Sequence, residues 1–328
     1  MLKTSLWSIV NSLSPDYRWQ RSRLRRWWAM DPEQAAADTR HRLWQYLHYC
    51  LRYSRFWQER WPEKFREFAV DEAEAVLRQL PVLTKSDIRH HIDDLRIRRE
   101  DRQPGDGWPA TSGQSSIQSG GSTGEPTRVW FDRRFQDAGR ATRDRFYTLG
   151  GLRPGAPVFF IWGSPNELGE LQASPRKRLG CWLRGVHALP AFGLNESRLE
   201  TIRATMAARR EVESAIVFAS AGETLVEHAE RRGVTFRRLR RVFLGGGMVS
   251  PLLRRKLQEH LADEVFDTYA ARDFGMVAHE TPEHDGLSVA EWDSRVEVLD
   301  AGGQPVADGG TGEVHVTQLN NYACALIR

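Results

Sequence analysis

Ile117-Gln-Ser-Gly-Gly-Ser-Thr-Gly-Glu-Pro-Thr-Arg-Val-Trp-Phe131 is the stretch on which the reading of this chain turns. From Ser119 to Gly124 it holds only small, hydroxylated and glycine residues, followed by Pro126 and the apolar run Val129-Trp130-Phe131. Glycine permits positive φ and a close backbone approach to a ligand. Successive N–H groups can then surround an anion, with Ser and Thr hydroxyls as further donors. A polyphosphate suits such a cradle. The segment is not a Walker loop, since Gly120 is not followed by Gly-Lys-Ser/Thr at the required spacing. Nor does a Gly-x-Gly-x-x-Gly fingerprint open a helix here. Read alone, the stretch fits a flexible surface loop equally well.

The 328 residues suffice for a large core in two or more lobes. Hydrophobic content of 40% and charged content of 27% place the chain among ordinary globular proteins rather than disordered ones. No apolar run approaches the roughly 20 residues that span a bilayer, and Met1–Trp7 lacks the pattern of a signal peptide. Three scattered cysteines, Cys50, Cys181 and Cys324, offer neither a disulfide framework nor a metal pair. A cytoplasmic setting is expected. The net charge of +4 raises a nucleic-acid or membrane reading, focused on Arg18, Arg21, Arg23, Arg25 and Arg26 among Trp19, Trp27 and Trp28. The simpler expectation is an amphipathic helix whose tryptophans pack inward while the arginines stay solvated. No nucleic-acid-binding motif accompanies it; peripheral membrane contact stays open.

Residues 1–105 read as a helical N-terminal region, with Leu43, Tyr46, Leu47, Cys50 and Leu51 at helical spacing in a stretch over 34–60. Thr84-Lys-Ser-Asp87 opens a further helix. Residues 101–116 are expected to form an exposed connector. Over 106–284 strands (127–131, 157–162, 185–189, 215–218, 241–244, 264–268) alternate with helices (133–148, 196–210, 221–232, 249–262). Such alternation predicts an α/β core with at least partly parallel strands. Residues 285–328 form a β-rich end of the same domain, with strands at Arg295–Leu299 and Glu313–Thr317.

Four further segments give the loop its meaning. Leu80-Pro-Val-Leu-Thr-Lys-Ser-Asp-Ile-Arg89 precedes it, and Phe243-Leu-Gly-Gly-Gly-Met-Val-Ser250, Val265-Phe-Asp-Thr-Tyr-Ala-Ala-Arg-Asp-Phe-Gly275 and Gly312-Glu-Val-His-Val-Thr-Gln-Leu-Asn-Asn-Tyr-Ala-Cys-Ala-Leu-Ile-Arg328 follow. With the loop they resemble, in order, the motifs of the adenylate-forming superfamily, in particular its phenylacetate–CoA ligase and capsule-biosynthesis ligase-like branch. The resemblance spans about residues 80–328. It implies the large N-terminal domain of an adenylate-forming enzyme, with layered α/β sheets. It also implies ATP, Mg²⁺ and coenzyme A as reaction components: a carboxylic acid, aryl or fatty, becomes an acyl-adenylate with release of pyrophosphate and is then passed to a thiol acceptor.

Carried over residue by residue, the resemblance places Ser119, Gly120, Gly121, Ser122, Thr123 and Gly124 on the phosphates, with Thr127 and Arg128 beside them. Gly245, Gly246 and Gly247 form a wall of the adenine slot, and Asp267 and Tyr269 adjoin the nucleotide. Arg272 falls at the α-phosphate position and Asp273 at the Mg²⁺ position. Residues 161–163 and 191–193 fall near the acyl pocket. Departures are visible. Thr127 stands where many members carry Lys, Arg272 replaces a small hydroxyl residue, and Asp273 is one methylene shorter than the usual Glu. His279-Glu280-Thr281 lacks the Cys of a metal-holding region in some relatives, so no zinc is expected, and His279 reads as a solvated loop residue. The chain stops at Arg328 where a Tyr-Arg-Thr-Gly-Asp motif would begin, and Leu326–Arg328 reads as a poorly protected edge strand. The expectation is part of a longer protein, without the C-terminal lid domain. A catalytically inactive homologue acting as a partner-binding protein is the alternative.

Overall fold

The computed structural model of the protein describes residues 14–102, 107–108, 113–118, 127–163 and 174–327. These fall into two compact units that do not follow the linear order of the chain. One unit gathers Arg143–Ala270 and Ala278–Ser288; the other gathers Pro15–Thr142, Ala271–Val277 and Val289–Arg328.

The N-terminal part of the second unit is helical, as its periodicity predicts. Helix α1 spans Pro15–Trp27 and α2 Pro32–Tyr53, and the short helices α3 (Arg55–Arg60), α4 (Ala73–Gln79), α5 (Lys85–His90) and α6 (Ile92–Leu95) follow. Asp31 caps α2 by accepting the Gln34 N–H at 2.8 Å, with Pro32 pre-set for the first turn. The expected helix over 34–60 breaks at Ser54, which adopts an extended backbone and donates its hydroxyl to the Asp94 carbonyl at 3.1 Å. Thr84 and Asp87 form a reciprocal capping box at the start of α5.

Of the connector expected over 101–116, the last two residues, Ser115 and Ser116, open a strand, while 103–106 and 109–112 lie outside the described residues. Strand β1 (Ser115–Gln118) pairs antiparallel with β2 (Arg128–Phe131), Gln118 facing Arg128. Helix α7 (Arg133–Leu149) follows, capped by Asp132, whose Oδ1 accepts the Phe135 N–H at 2.8 Å.

The other unit is the α/β layer. Strands β3 (Val158–Ile161), β4 (Val186–Leu189), β5 (Ser214–Phe218), β6 (Leu239–Gly245) and β7 (Ala262–Ala271) run parallel in the order β4-β3-β5-β6-β7, extended by β8 (Gly275–Glu280) and β9 (Leu287–Val289). The crossovers are α8 (Pro175–Leu183), α9 (Glu196–Ala208), α10 (Ala219–Arg232) and α11 (Pro251–His260). Asn195 and Ser250 cap α9 and α11, and Gly233 ends α10 at φ +62°. One face of the sheet (Phe159, Ile161, Ala215, Val217) packs on Leu199, Ile202, Leu225 and Leu257 of the helices. The sequence anticipates every one of these strands up to β7; α8 and the short β8 and β9 are additions.

The β-rich end belongs with the helical unit. Strands β10 (Ser294–Leu299) and β11 (Glu313–Gln318) pair antiparallel. The tail then runs through the core instead of forming an exposed edge: Leu326 and Ile327 are buried. The physical reason is that side chains of α2 and α3 satisfy its backbone. Tyr49 donates to the Tyr322 carbonyl at 2.7 Å and the Trp57 indole to the Ala325 carbonyl at 2.9 Å, while Ala325 N–H bonds the Leu95 carbonyl. The arginine-rich helix α1 also departs from its expectation: Trp19 and, just beyond the helix, Trp28 are exposed rather than packed inward, and one arginine is not solvated. Arg18, Arg25 and Arg26 are exposed, but Arg23 turns inward, donating to the Trp292 carbonyl at 2.8 Å and to Asn320 at 3.2 Å. Arg42 makes the same two contacts. Their counter-charge is the buried Asp293, bonded by Asn320 and by Thr142 at 3.1 Å. Trp27 meanwhile packs edge-on against Trp292 at 5.1 Å, as an inward-facing tryptophan should. No helix among the described residues is long and apolar enough to cross a membrane.

Asp132 offers a pH-dependent test. Burial outweighs its bond from Phe135 and the nearby Arg134, pushing its carboxyl up to about 6. Folding therefore prefers the protonated acid. Its contribution is intact below the unfolded value near 4 and is lost as pH rises toward 6. Asp132→Asn keeps the cap and stays neutral. Urea unfolding should show the variant more stable than wild type above pH 7, by on the order of 3 kcal/mol, the gap closing near pH 4.

Candidate nucleotide site

In a parallel sheet all carboxyl ends meet one edge, where ligands of open α/β folds characteristically bind. Here that edge is aromatic. Trp162 follows β3, Phe192 lies just past β4, and Phe218 ends β5. The Phe218 ring meets Trp162 at 5.1 Å and Phe192 at 4.9 Å between centroids, both edge-on. Trp162 and Phe192 lie within the two stretches read as the acyl pocket. Phe218 was not anticipated, although it too is an aromatic residue closing an apolar strand.

Beside this cluster β6 runs into Gly245, Gly246 and Gly247, and here glycine is required by space as well as by dihedral. A Cβ on Gly245 would stand 3.3 Å from the Trp162 ring and 3.6 Å from the Thr268 carbonyl. Gly246 has φ +77°, and a Cβ there would enter the Phe218 ring. Gly247 would press to 3.1 Å from Ala219. Gly246, Gly247 and the following Met248 are exposed, so the turn forms a bare backbone ledge. Register pairs Leu244 with Asp267, which brings Thr268 and Tyr269 alongside the ledge. Tyr269 is 46% exposed and leaves an aromatic face open to a ligand.

Asp267 has a structural task in the strand. Its Oδ1 accepts the Thr268 N–H at 2.7 Å and its own N–H donates to Glu280 at 2.8 Å, so the side chain braces its strand. Glu280 is in turn held by Arg254 at 2.9 Å and His284 at 3.1 Å. His279 is not a solvated loop histidine. It lies buried in β8 against Phe146, rings stacked at 5.2 Å, and burial pushes its pKa down to about 4. It is a neutral core residue at pH 7.

The remaining residues belong to the helical unit. Thr127 is buried and Arg128 exposed, at the start of β2. Residues 119–124 lie outside the described residues, but the strands entering and leaving that stretch are fixed by the pairing of β1 with β2. Arg272 is exposed, and Asp273 is partly buried next to it. The turn carrying both is clamped by Gln318, whose amide donates to the Phe274 carbonyl at 2.7 Å. Desolvation raises the Asp273 pKa, opposed by the charges of Lys85 and Arg272. Among the described residues its buried Oδ1 has no hydrogen-bond partner. A desolvated, unbonded carboxylate oxygen is the donor a hard divalent cation takes, so Asp273 fits Mg²⁺. Lys85 escaped the sequence reading because Thr84–Asp87 was explained as a helix start. Its proximity to Asp273 depends on how the tail and α5 pack, which no local pattern reveals.

No protein-family model and no curated protein matches the sequence. Among solved structures, the chain is similar to VinN at 17% identity, over 64% of this chain and 50% of that one, with a TM-score of 0.45. ATP-bound MatB from Rhodopseudomonas palustris gives 14% identity over 63% of this chain and 39% of that one, with a TM-score of 0.45. The N-terminal subdomain of Klebsiella oxytoca NpsA, in complex with 3-hydroxyanthranilyl-AMSN, gives 16% over 63% and 50%, with a TM-score of 0.43. The chain thus spans 39–50% of the length of these structures.

Two outcomes follow from this geometry. Gly246→Ala should cost about 1–3 kcal/mol in thermal or urea unfolding, because it forces a side chain into positive φ and against Phe218. Lys85→Ala removes a charge that favours ionised Asp273, so the Asp273 carboxyl resonance in NMR titration should move to a higher midpoint. An unmoved midpoint would separate the two residues.

Proposed function

We propose that this chain is the nucleotide-binding part of an adenylate-forming ligase, which joins a carboxylic acid to AMP with release of pyrophosphate and passes the acyl group to a thiol such as coenzyme A. The observation that carries the reading is the open ring of Tyr269 beside the glycine ledge Gly245–Gly247, at the carboxyl edge of the parallel strands. A purine needs a flat slot, a bare backbone to read its edge and an aromatic face to lie on. The bare backbone and the open aromatic face occur together here, at the positions where the sequence resembles the family's adenine wall and tyrosine motif.

In this reading residues 119–124 take the β- and γ-phosphates, with Arg128 and Arg272 as nearby cations. Arg272 offers a planar fork to the α-phosphate oxygens in place of a hydroxyl. Asp273 holds Mg²⁺, which when bound offsets phosphate charge. Adenylation asks little covalent work of the protein: it must align the carboxylate with the α-phosphorus and neutralise growing charge. The Trp162, Phe192 and Phe218 cluster gives the acid an apolar, aromatic wall, which favours aryl or fatty acids. The magnesium ion, the thiol, the cytoplasmic setting and the phenylacetate-ligase branch belong to this proposal too.

The test is acid-dependent pyrophosphate exchange by the full-length protein, against a panel of aryl and fatty acids. Asp273→Ala should reduce exchange on the order of 100-fold or more. Tyr269→Ala should raise the KM for ATP about tenfold, by loss of base stacking worth about 1–3 kcal/mol. Exchange that survives Asp273→Ala would remove that residue from the metal site. No exchange and no ATP binding by calorimetry would overturn the reading as a whole.

A further inference from the structure

The same α/β unit carries a second concavity at the opposite end of its strands. A cavity of about 260 Å³ lies against the amino-terminal halves of β3, β4 and β5, between the sheet and the ends of α7 and α8. Its floor is Phe160, Val186 and Ile216, side chains on the face opposite Phe159 and Ile161. Strands of a parallel sheet are normally covered on both faces. On this face the cover thins at one end: Phe160, set between Ala188 and Ile216 of its neighbours, is only partly buried, as are Val186 and Ile216, which border the buried cluster of Leu152, Val158, Phe243 and Phe266. Around this apolar floor stand Arg143, Arg153 and Arg184, all exposed, against the single carboxylate of Asp144. The lining therefore carries two positive charges in excess.

An apolar floor ringed by guanidinium groups has a definite complement. Water gains nothing from such a floor, and a wholly polar anion leaves it uncovered. A neutral apolar ligand makes no use of the arginines. We infer that this cavity binds an anionic amphiphile, an aliphatic or aryl body bearing a carboxylate or phosphate head, with the body on Phe160, Val186 and Ile216 and the head at Arg143, Arg153 and Arg184. Guanidinium groups bind both head groups through paired N–H donors. None of its lining residues belongs to the glycine ledge Gly245–Gly247 or is Tyr269, although the Phe160 ring stacks on Trp162 at 5.9 Å.

The protein contains its own reporter. Cys181 lines the cavity and is partly exposed, whereas Cys50 and Cys324 are wholly buried. Alkylation by N-ethylmaleimide under native conditions should therefore proceed at Cys181, as peptide mass mapping verifies. Octanoate and octyl phosphate, added without ATP, are expected to slow this reaction at least about fivefold at saturation, and octanol much less. Whichever anion protects at lower concentration identifies the preferred head group. Arg153→Glu/Arg184→Glu, with unchanged far-UV circular dichroism, should shift half-protection to about tenfold higher concentration or more, through loss of the charge-assisted bonds to the head group. Arg153→Glu alone gives a smaller shift of the same sign. Absence of protection by both anions, or protection by octanol equal to theirs, would overturn the inference. Because no nucleotide is present, this outcome is independent of whether the chain forms adenylates.

Discussion

Parallel pairing of β4, β3, β5, β6 and β7 is the constraint from which the chemistry of this protein follows. Adjacent parallel strands need a crossover, and each crossover returns the chain to the same starting edge. Every strand thus delivers its last residue to one side of the sheet. Trp162, Phe192, Phe218, Gly246 and Tyr269 lie far apart in sequence and are neighbours only for this reason. The first residues of the strands meet at the other side, where Arg153 and Arg184 precede β3 and β4. One topological rule therefore makes two concavities of different character, one aromatic and glycine-floored, the other apolar and rimmed with arginine.

The helical unit is organised by a different economy, that of buried polar groups. Its core is rich in Tyr and Trp, and these spend their single donors on carbonyls of the tail after β11. Without those donors the tail's carbonyls would lie buried and unbonded, at a cost of roughly 1–3 kcal/mol each. The same logic gathers Arg23, Arg42 and Asn320 around Asp293. Removing the carboxylate would leave two inward-facing guanidinium groups without their counter-charge, a strongly destabilising change. These contacts also position Asp273, through the grip of Gln318 on Phe274.

Features governed by short-range chemistry were legible in the sequence. The apolar runs at 157–162, 215–218 and 241–244 announced strands, and Asn195 and Thr84 announced helix starts. Gly245–Gly247 were legible as a turn, and their crowding by Trp162 and Phe218 explains why nothing larger fits. Features that depend on a distant partner were not. Nothing near Ile327 indicates that Trp57 and Tyr49 will bury its segment, so an edge strand was the natural expectation. His279 resembled a loop histidine because the ring of Phe146 that covers it lies elsewhere in the chain. Arg23 looked like its solvated neighbours because Trp292 and Asn320 are remote.

Asp132 and Asp273 make the functional argument by contrast. Burial raises the pKa of both carboxyls. Asp132 offsets part of that cost by accepting the Phe135 N–H and closing the first turn of α7, which is a sufficient structural reason for its presence. Both keep one buried oxygen without a hydrogen-bond partner among the described residues, Asp132 its Oδ2 and Asp273 its Oδ1, but what favours ionisation of Asp273 is the charge of Lys85 and Arg272 rather than a backbone hydrogen bond. A folded protein gains nothing in stability from such a group, since an apolar residue of similar size would avoid the desolvation. Such a carboxylate, on a turn clamped by Gln318, stands apart from Asp267, whose Oδ1 accepts the Thr268 N–H.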